Sequence, residues 1–333
     1  LSPDDLTLRP LREPLILRNA EKDDIDYRET RATRRMRREV EAQNEAIMSV
    51  ELGQGLPVPS RLRRIFNGDF GHGGRFYAEG GGWQTLTKAQ RVRLRHNGEL
   101  VIESDFRALH PTLAYAACGL TLRGDPYDIA GFPRPLVKIA FNLLLNSRGR
   151  NGARHGIAGK PEMADHLRGK DFGAVFRAAG GREIARHCPG YATEASREAE
   201  RLIDALLARH APIRDLFFTG IGPVLQKRDS DIAEAVMRDM RRHSVVVLPV
   251  HDSFICPASK ADLLEDVMRE RAREVGAACD CSRTSANLPQ MFQGVEREWP
   301  DICPLPPSPF PSWRASSPRR EGPCSTQYHK ESN

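Results

Sequence analysis

The sequence predicts an α+β fold in which short strands lie far apart in the chain, on either side of a mostly helical middle. The apolar-rich segment Leu100–Asp105 is typical of a strand, and so is the β-branched segment Ser244–Val250, which resumes at Phe254–Pro257. Each strand leads into a polar turn that contains an aspartate. The 333 residues are 40% hydrophobic and 28% charged, which supports a core and excludes disordered, collagen-like and disulfide-rich classes.

Helices are expected along the rest of the chain. Residues 28–50 are predicted to form the first, because apolar residues recur on one face that can pack inward. Those residues are Met36, Val40 and Ile47. The next helix is expected to begin at Arg134-Pro135, since proline suits the first helical turn. Further helices are predicted over residues 194–210, 222–242 and 261–277.

The composition narrows the class of protein. The sequence has no apolar run of the ~20 residues that span a membrane and no signal-peptide core. Seven cysteines form no tight spacing pattern, and the lone Cys279-x-Cys281 lacks the further ligands that zinc needs. A cytoplasmic protein without a membrane partner is therefore expected. Residues 301–333 are rich in proline and serine and are expected to be a disordered tail.

Positive charge is concentrated in two segments. The net charge is +6, yet residues 61–95 alone hold eight basic and two acidic residues among glycines and aromatics. That pattern suits either nucleic-acid contact or an ordinary β-hairpin. In the helix over residues 28–50, four arginines at i, i+3, i+4 and i+7 share one face, which is either a solvated surface or a stripe along a phosphate backbone. They are Arg31, Arg34, Arg35 and Arg38.

The two predicted strands lead into Asp105 and Asp252. Taken alone, either residue suits a turn or a cap. On adjacent strands the two carboxylates would instead share two Mg²⁺ ions, with Mn²⁺ as a substitute, because Mg²⁺ takes a few carboxylate oxygens and adds water and substrate phosphates. Such a pair of ions activates an attacking hydroxyl and stabilises a leaving phosphate oxygen.

A predicted helix between the aspartates carries Arg134 and Lys138, four residues apart on one face. Their charges suit a triphosphate, although a solvated helix face would carry the same residues. Because the apolar segment 139–145 follows Lys138, the helix is expected to be substantially buried and Lys138 to need a partner.

In order and local context, these motifs resemble the palm and fingers of family A DNA polymerases and phage-type single-subunit RNA polymerases. The strand that ends at Asp105 resembles the first motif, whose aspartate binds metal. Arg134-x-x-x-Lys138 resembles the fingers motif that grips the phosphates of the incoming nucleotide. The segment 250–254, Val-His-Asp-Ser-Phe, resembles the third motif, whose aspartate is the other metal ligand.

Two further segments belong to this resemblance. The segment 67–77, with Arg75 near its end, resembles the RNA polymerase segment that enters the palm and touches the template. Gln226, in the segment 225–232, resembles a family A glutamine that contacts primer or template. The resemblance covers roughly residues 60–275.

The resemblance implies a right-hand polymerase palm with a small antiparallel sheet, reduced helical fingers and a short helical thumb-like segment at the N-terminal end. The implied parts are a basic thumb-like segment (1–55), the first part of the palm (56–133), the fingers (134–222), the second part of the palm (223–300) and the tail (301–333).

The resemblance also implies the roles of individual residues. Catalytic residues would be Asp105, Asp252, Lys138 and His251, with both aspartates as metal ligands. Nucleotide-binding residues would be Arg134, Lys138, Asn142, Asn146 and His110. Nucleic-acid-binding residues would be Arg75, Gln226, Arg31, Arg34, Arg35 and Arg38. Two positions depart from the families: Asn146 stands where a tyrosine is usual, and His110 matches neither the glutamate of the DNA enzymes nor the small residue of the RNA enzymes.

Three functions compete at this point. The first is a magnesium-dependent, template-directed nucleotidyltransferase whose partners are nucleoside triphosphates, a DNA or RNA template and primer, and an accessory protein. The second is a non-catalytic nucleic-acid-binding relative, favoured by Asn146, His110 and the short fingers. The third, a phosphohydrolase of the histidine–aspartate type, is disfavoured because its His-Asp pair lies on helices, whereas His251-Asp252 follows a predicted strand. The choice between an RNA and a DNA product, and the need for a primer, stay open.

Overall fold

The strands form two small sheets. The computed structural model describes residues 13–53, 60–168 and 190–285. Its strands are β1 (Leu15–Arg18), β2 (Asp24–Ile25), β3 (Leu52–Gly53), β4 (Leu62–Asn67), β5 (Asp69–Ala78), β6 (Arg95–His96), β7 (Glu99–Phe106), β8 (Leu248–Val250), β9 (Ser253–Pro257) and β10 (Cys281–Ser285). The first sheet has the order β2-β1-β4-β5 and is mixed, because β1 and β4 are parallel. The second is antiparallel, with the order β3-β6-β7-β9-β8 and β10 also paired with β7.

Helices occupy most of the chain between the strands. They are α1 (Arg31–Met48), α2 (Lys88–Arg91), α3 (Leu109–Ala117), α4 (Arg134–Asn146), α5 (Arg150–Ala158), α6 (Pro161–Arg168), α7 (Tyr191–Arg209), α8 (Gly222–Arg242) and α9 (Ala261–Glu274). The mixed α/β class predicted from the sequence is confirmed, and α8 has the predicted bounds. Helix α1 begins at Arg31, three residues later than predicted, because Thr30 and Thr33 form a reciprocal capping box. No helix of the described segments is long and apolar enough to cross a membrane.

The strand predicted over Ser244–Val250 is wrong in its first half, since β8 begins only at Leu248. Ser244 has a positive φ of 58°, and the Val245 N–H donates to the Met240 carbonyl at 2.9 Å, so the chain first folds back on the end of α8. Pro249 has no N–H to donate, which is tolerated because β8 lies at an edge of its sheet.

The segment expected to be a helical thumb contains strands as well as α1. Strand β1 pairs with β4 in parallel, and the Asn44 side chain of α1 both donates to the Leu62 carbonyl at 3.0 Å and accepts from the Leu62 N–H at 2.6 Å. The predicted apolar face of α1 is confirmed, because Met36, Val40 and Ile47 are buried. Helix α1 is therefore bound to the first sheet by its inner face.

The segment expected to be a disordered tail, residues 301–333, lies outside the described residues.

The basic segment over residues 61–95 is a β-hairpin, β4–β5, followed by α2 and β6. Half of its basic residues pair with carboxylates of the fold: Arg63 with Glu79, Arg64 with Asp231 and Glu234, Arg75 with Asp229, and Arg91 with Glu103. Its aromatic residues Phe66, Phe76 and Trp83 are buried in the core. The β-hairpin interpretation is confirmed for β4–β5, and nucleic-acid contact by the segment stays a prediction. Its exposed cations are Arg61, Lys88, Arg93 and Arg95.

Candidate active site

The two aspartates lie side by side at the ends of adjacent strands. Strands β7 and β9 pair so that Asp105 is opposite Ser253, and the Phe106 N–H donates to the Asp252 carbonyl at 3.3 Å. Residues His251 and Asp252 form the two-residue turn between β8 and β9. Within the described segments, neither aspartate side chain has a hydrogen-bond or ion-pair partner.

The setting of these carboxylates fits a divalent cation. Burial, and next the charge of Asp252, raises the pKa of Asp105 to about 6, while Lys88 and Lys138 oppose the shift. A cation between the two acids would remove the repulsion. No group of three or more His, Cys, Asp or Glu among the described residues is arranged to hold a metal. Two carboxylates suffice for Mg²⁺, however, when water and substrate phosphates complete its coordination.

His251 holds an unusual backbone conformation at the head of the turn. Its φ is +58°, a left-handed region that costs most side chains energy and in which histidine is enriched among non-glycine residues. Its ring meets the Tyr77 ring edge-on, with centroids 5.6 Å apart. Burial, and next the charge of Arg75, lowers the pKa of His251, so the ring is neutral near pH 7. Its Nδ1 is buried and has no partner within the described segments.

Three supporting residues near the aspartates, Glu103, Ser253 and Arg91, were not among the predicted site residues. Ser253 donates its hydroxyl to Glu103 Oε1 at 2.8 Å, and Glu103 lies two residues before Asp105, on the same face of β7. Arg91 donates two hydrogen bonds to the Glu103 carboxylate, from Nε to Oε2 at 2.8 Å and from Nη2 to Oε1 at 2.9 Å. A charged residue inside an apolar strand was the available signal, because a buried carboxylate requires such partners.

Helix α4 presents the predicted nucleotide-binding residues as a polar stripe. The four residues follow one another at intervals of four, so they share one side of the helix. They are Arg134, Lys138, Asn142 and Asn146. The expectation that a buried helix leaves Lys138 in need of a partner is wrong: α4 buries only its apolar face, and Lys138 is exposed. It lies close enough to Asp105 to oppose the rise in that residue's pKa.

The other members of the stripe differ in their surroundings. Arg134 is exposed, pairs with Asp125 at 2.7 Å and lies over the Tyr127 ring at 5.0 Å. Asn142 Oδ1 is buried and has no partner within the described segments. Asn146 is exposed, and its Nδ2 donates to the Asn142 carbonyl at 2.7 Å.

A cluster of Arg75, His110 and Asp229 adjoins this site. Asp229 Oδ2 accepts from Arg75 Nη2 and from His110 Nε2, each at 2.7 Å. An ionised carboxylate only accepts, so His110 carries its proton on Nε2, and the 3.3 Å approach of Arg75 Nη2 to that nitrogen reflects their shared oxygen. A Cβ at Gly74 would lie 2.9 Å from Ser230 Oγ, so glycine lets β5 approach α8 this closely.

Asp229 was not among the predicted site residues, because the family resemblance drew attention to Gln226, three residues earlier on the same helix. The available signal was helical periodicity: Asp229 falls on the buried face of α8 with Leu225, Ile232 and Val236. An aspartate in such a stripe indicates a buried, paired charge. Gln226 itself is partly buried, one turn before Asp229.

The arginine stripe of α1 faces solvent. Its four members are exposed, whereas the opposite face of the helix packs against β4 and α8. They are Arg31, Arg34, Arg35 and Arg38. Gln43 donates to the Val247 carbonyl at 2.8 Å, which connects α1 to the segment leading into β8.

Comparison with known proteins adds little to this geometry. No protein-family model and no curated protein matches the sequence. Among solved structures, the chain is similar to the POL domain of Pol1 from M. smegmatis in complex with DNA primer-template and dNTP, at 13% identity and a TM-score of 0.36. The match covers 76% of this chain and 51% of that one, so this chain spans about half the length of the relative. A likeness at this TM-score shows no function for this chain.

Proposed function

We propose that the protein is a magnesium-dependent, template-directed nucleotidyltransferase, a nucleic-acid polymerase with a palm and reduced fingers like those of single-subunit RNA polymerases and family A DNA polymerases. One observation carries the proposal: Asp105 and Asp252 lie together at adjacent strand ends without a protein partner among the described residues. Two neighbouring acids that form no ion pair with a described residue suit a site whose cation arrives with the substrate.

In this proposal the second sheet is the palm, α4 to α7 are the fingers, and α1 is the thumb-like element. Asp105 and Asp252 would hold two Mg²⁺ ions, which activate the attacking hydroxyl and stabilise the leaving oxygen when bound. The remaining catalysis would be positioning and electrostatic stabilisation by the chain's own residues.

The polar stripe of α4 would receive the nucleoside triphosphate. Lys138 is exposed and acts on Asp105, so its ammonium is available to phosphate oxygens beside the carboxylates. Arg134 would exchange Asp125 for phosphate. The partly exposed Asn142 and the exposed Asn146 would contact the nucleotide further along the helix.

Other residues would position the nucleic acid. His251, held between Asp252 and the Tyr77 ring, would orient the primer end or its neighbouring aspartate. Gln226 and Arg75 would contact primer or template at α8 and β5, with His110 beside them. The arginines of α1 would follow the backbone of the bound nucleic acid.

Primer extension tests the proposal. The full chain is incubated with Mg²⁺, a labelled primer–template and either deoxyribonucleoside or ribonucleoside triphosphates, in separate reactions. Wild type is expected to extend the primer with one pool, and Asp252→Asn to lose extension. Asp215→Asn is the matched control, because the Asp215 side chain is 98% exposed and its one ion pair within the described residues is a 3.7 Å contact with its neighbour Arg214.

The outcomes separate the competing functions. Extension that survives Asp252→Asn would remove the metal-ligand assignment. Tight binding of the primer–template without extension from either pool would favour the non-catalytic nucleic-acid-binding alternative. The pool that supports extension would decide between an RNA and a DNA product.

A further inference from the structure

Asp229 is a deeply buried carboxylate near the proposed metal pair, and the proposed chemistry gives it no role. Its side chain is 1% exposed, and it lies in the middle of α8. Oδ2 accepts three hydrogen bonds, from Arg75 Nη2 at 2.7 Å, Arg75 Nε at 3.3 Å and His110 Nε2 at 2.7 Å. Oδ1 is buried and has no partner within the described segments.

Arg75 lies on the side of β5 that faces the metal pair. Tyr77, two residues later in the strand, is on the same face as Arg75, and its ring contacts His251, which directly precedes Asp252. Asp252 also acts on the Arg75 charge, although Asp229 acts on it more strongly. Both carboxylates thus act on the guanidinium charge, and the guanidinium is hydrogen-bonded to that of Asp229.

An arginine keeps its charge in a protein, so the Arg75 guanidinium, whose side chain is only 19% exposed, favours a nearby carboxylate as its partner. Without Asp229, the carboxylate left for Arg75 on this side of β5 would be that of Asp252. An Arg75–Asp252 ion pair would occupy the oxygens that a divalent cation needs, and its positive charge would oppose cation binding.

We propose that Asp229 is a positioning residue that holds Arg75 away from Asp252 and so keeps the Asp105–Asp252 pair available to a divalent cation. The inference rests on the proposed function, because it assumes that these aspartates bind the metal. His110 strengthens the arrangement, since its Nε2–H binds the same Oδ2 and fixes the carboxylate from the α3 side.

Direct measurement of Mn²⁺ binding tests the inference without using activity. Free Mn²⁺ is followed by electron paramagnetic resonance while the full chain is titrated at low ionic strength and neutral pH. Asp229→Asn is expected to weaken Mn²⁺ binding about tenfold, because Arg75 turns to Asp252. Asp229→Asn combined with Arg75→Gln is expected to restore the affinity to near the wild-type value, since no cation then competes.

Two variants make the titration specific. Asp231→Asn removes a negative charge two residues away on α8 that pairs with Lys227 and Arg64 and does not contact Arg75, so binding should stay at the wild-type level. Asp252→Asn should abolish binding. If the wild-type protein binds no Mn²⁺ that depends on Asp252, the proposed metal site fails, and this inference fails with it.

The inference alone is overturned by two results in a protein that does bind Mn²⁺ through Asp252. One is wild-type affinity in Asp229→Asn. The other is a double variant that binds as weakly as Asp229→Asn, which would assign Asp229 a purely structural role. If Asp229→Asn fails to fold, as judged by circular dichroism, the double variant decides. It removes both buried charges together, and weak binding by the folded double variant contradicts the proposal.

Discussion

Asp105 lies directly opposite Ser253 in the β7–β9 ladder. This register brings Asp252, the last residue of the turn, against the end of β7, where the Phe106 N–H binds its carbonyl oxygen at 3.3 Å. The backbone therefore holds the two acids close together, and their like charges repel each other. Burial is the main cause of the raised pKa of Asp105, and the charge of Asp252 raises it further.

The first prediction concerns the stability of the metal-free protein. The pKa of Asp105 is about 6 in the folded chain and 3.8 as a reference, so between these values the folded state binds more protons than the unfolded state. Its contribution to the free energy of unfolding therefore falls as pH rises from about 4 to 6, by about 3 kcal/mol in total. Asp105→Asn should stabilise the protein at pH 7 in EDTA by an amount of this order, as measured by urea denaturation.

The same variant makes a second measurement informative. Mg²⁺ should raise the unfolding midpoint of wild type at pH 7 and leave that of Asp105→Asn unchanged, because ligand binding stabilises only the state that binds it. At pH 4, where the wild-type carboxyl is protonated, the two proteins should have similar stability. A variant that is less stable than wild type at pH 7 without metal would contradict this electrostatic account.

Local patterns predicted the elements well, and long-range pairing explains where the predictions failed. The bounds of α8 and the apolar face of α1 follow from periodicity within one element. The pairing of Arg64 with Glu234 joins residues far apart in the chain, and a basic residue in a strand gives no local sign that it will be buried. For Lys138 the error was the opposite one: a partner was expected, but Lys138 is exposed, because the apolar residues after it cover only one face of α4. Asp229 was missed for both reasons: its partner Arg75 is far away in the chain, and its burial depends on which face of α8 packs inward.

Arg64 is predicted to be a stability residue rather than a nucleic-acid contact. Its side chain is fully buried, bonds to Asp231 at 2.7 Å and to Glu234, and donates to the Gly74 carbonyl at 2.8 Å. Arg64→Met should lower the free energy of unfolding by about 3–5 kcal/mol, because Glu234 is left buried without its partner.

A double variant distinguishes this cause from simple loss of packing. Arg64→Met with Glu234→Gln should recover part of the loss in urea denaturation, since the second change removes the uncompensated charge. Arg93→Met, at an exposed position in the same segment, is the control and should change stability little. Equal losses in the single and double variants would show that the ion pair is not the cause.

Lys138 and Arg134 are predicted to contribute unequally to nucleotide use. Lys138 is exposed near Asp105 with its charge unmatched by any ion pair within the described segments, whereas Arg134 is already paired with Asp125 and lies over Tyr127. Lys138→Ala should lower kcat/KM for the nucleoside triphosphate by about tenfold or more. Arg134→Ala should lower it less, because the wild-type arginine must first leave Asp125.

Steady-state primer extension at varied triphosphate concentration measures both effects. Lys260→Ala is the control, because Lys260 is exposed just beyond Pro257, at the end of the β7–β9 ladder far from Asp105. A larger loss in Arg134→Ala than in Lys138→Ala would show that the Asp125 pair breaks easily and that Arg134 is the main phosphate ligand.

The arginine stripe of α1 is predicted to set the salt dependence of nucleic-acid binding. Its four members are exposed, and the inner face of α1 is held by buried contacts, so neutralisation should leave the fold intact. Each phosphate contact contributes roughly 0.9 to the slope of log K against log salt for duplex DNA. The quadruple change of Arg31, Arg34, Arg35 and Arg38 to Gln should therefore flatten the slope by roughly 3 to 4.

Fluorescence anisotropy of a labelled primer–template across a salt series measures this slope. Arg273→Gln, an exposed position near the end of α9, controls for the loss of a single positive charge and should leave the slope unchanged. An unchanged slope in the quadruple variant would make the stripe a solvated surface, and α1 would then act only as packing for the first sheet.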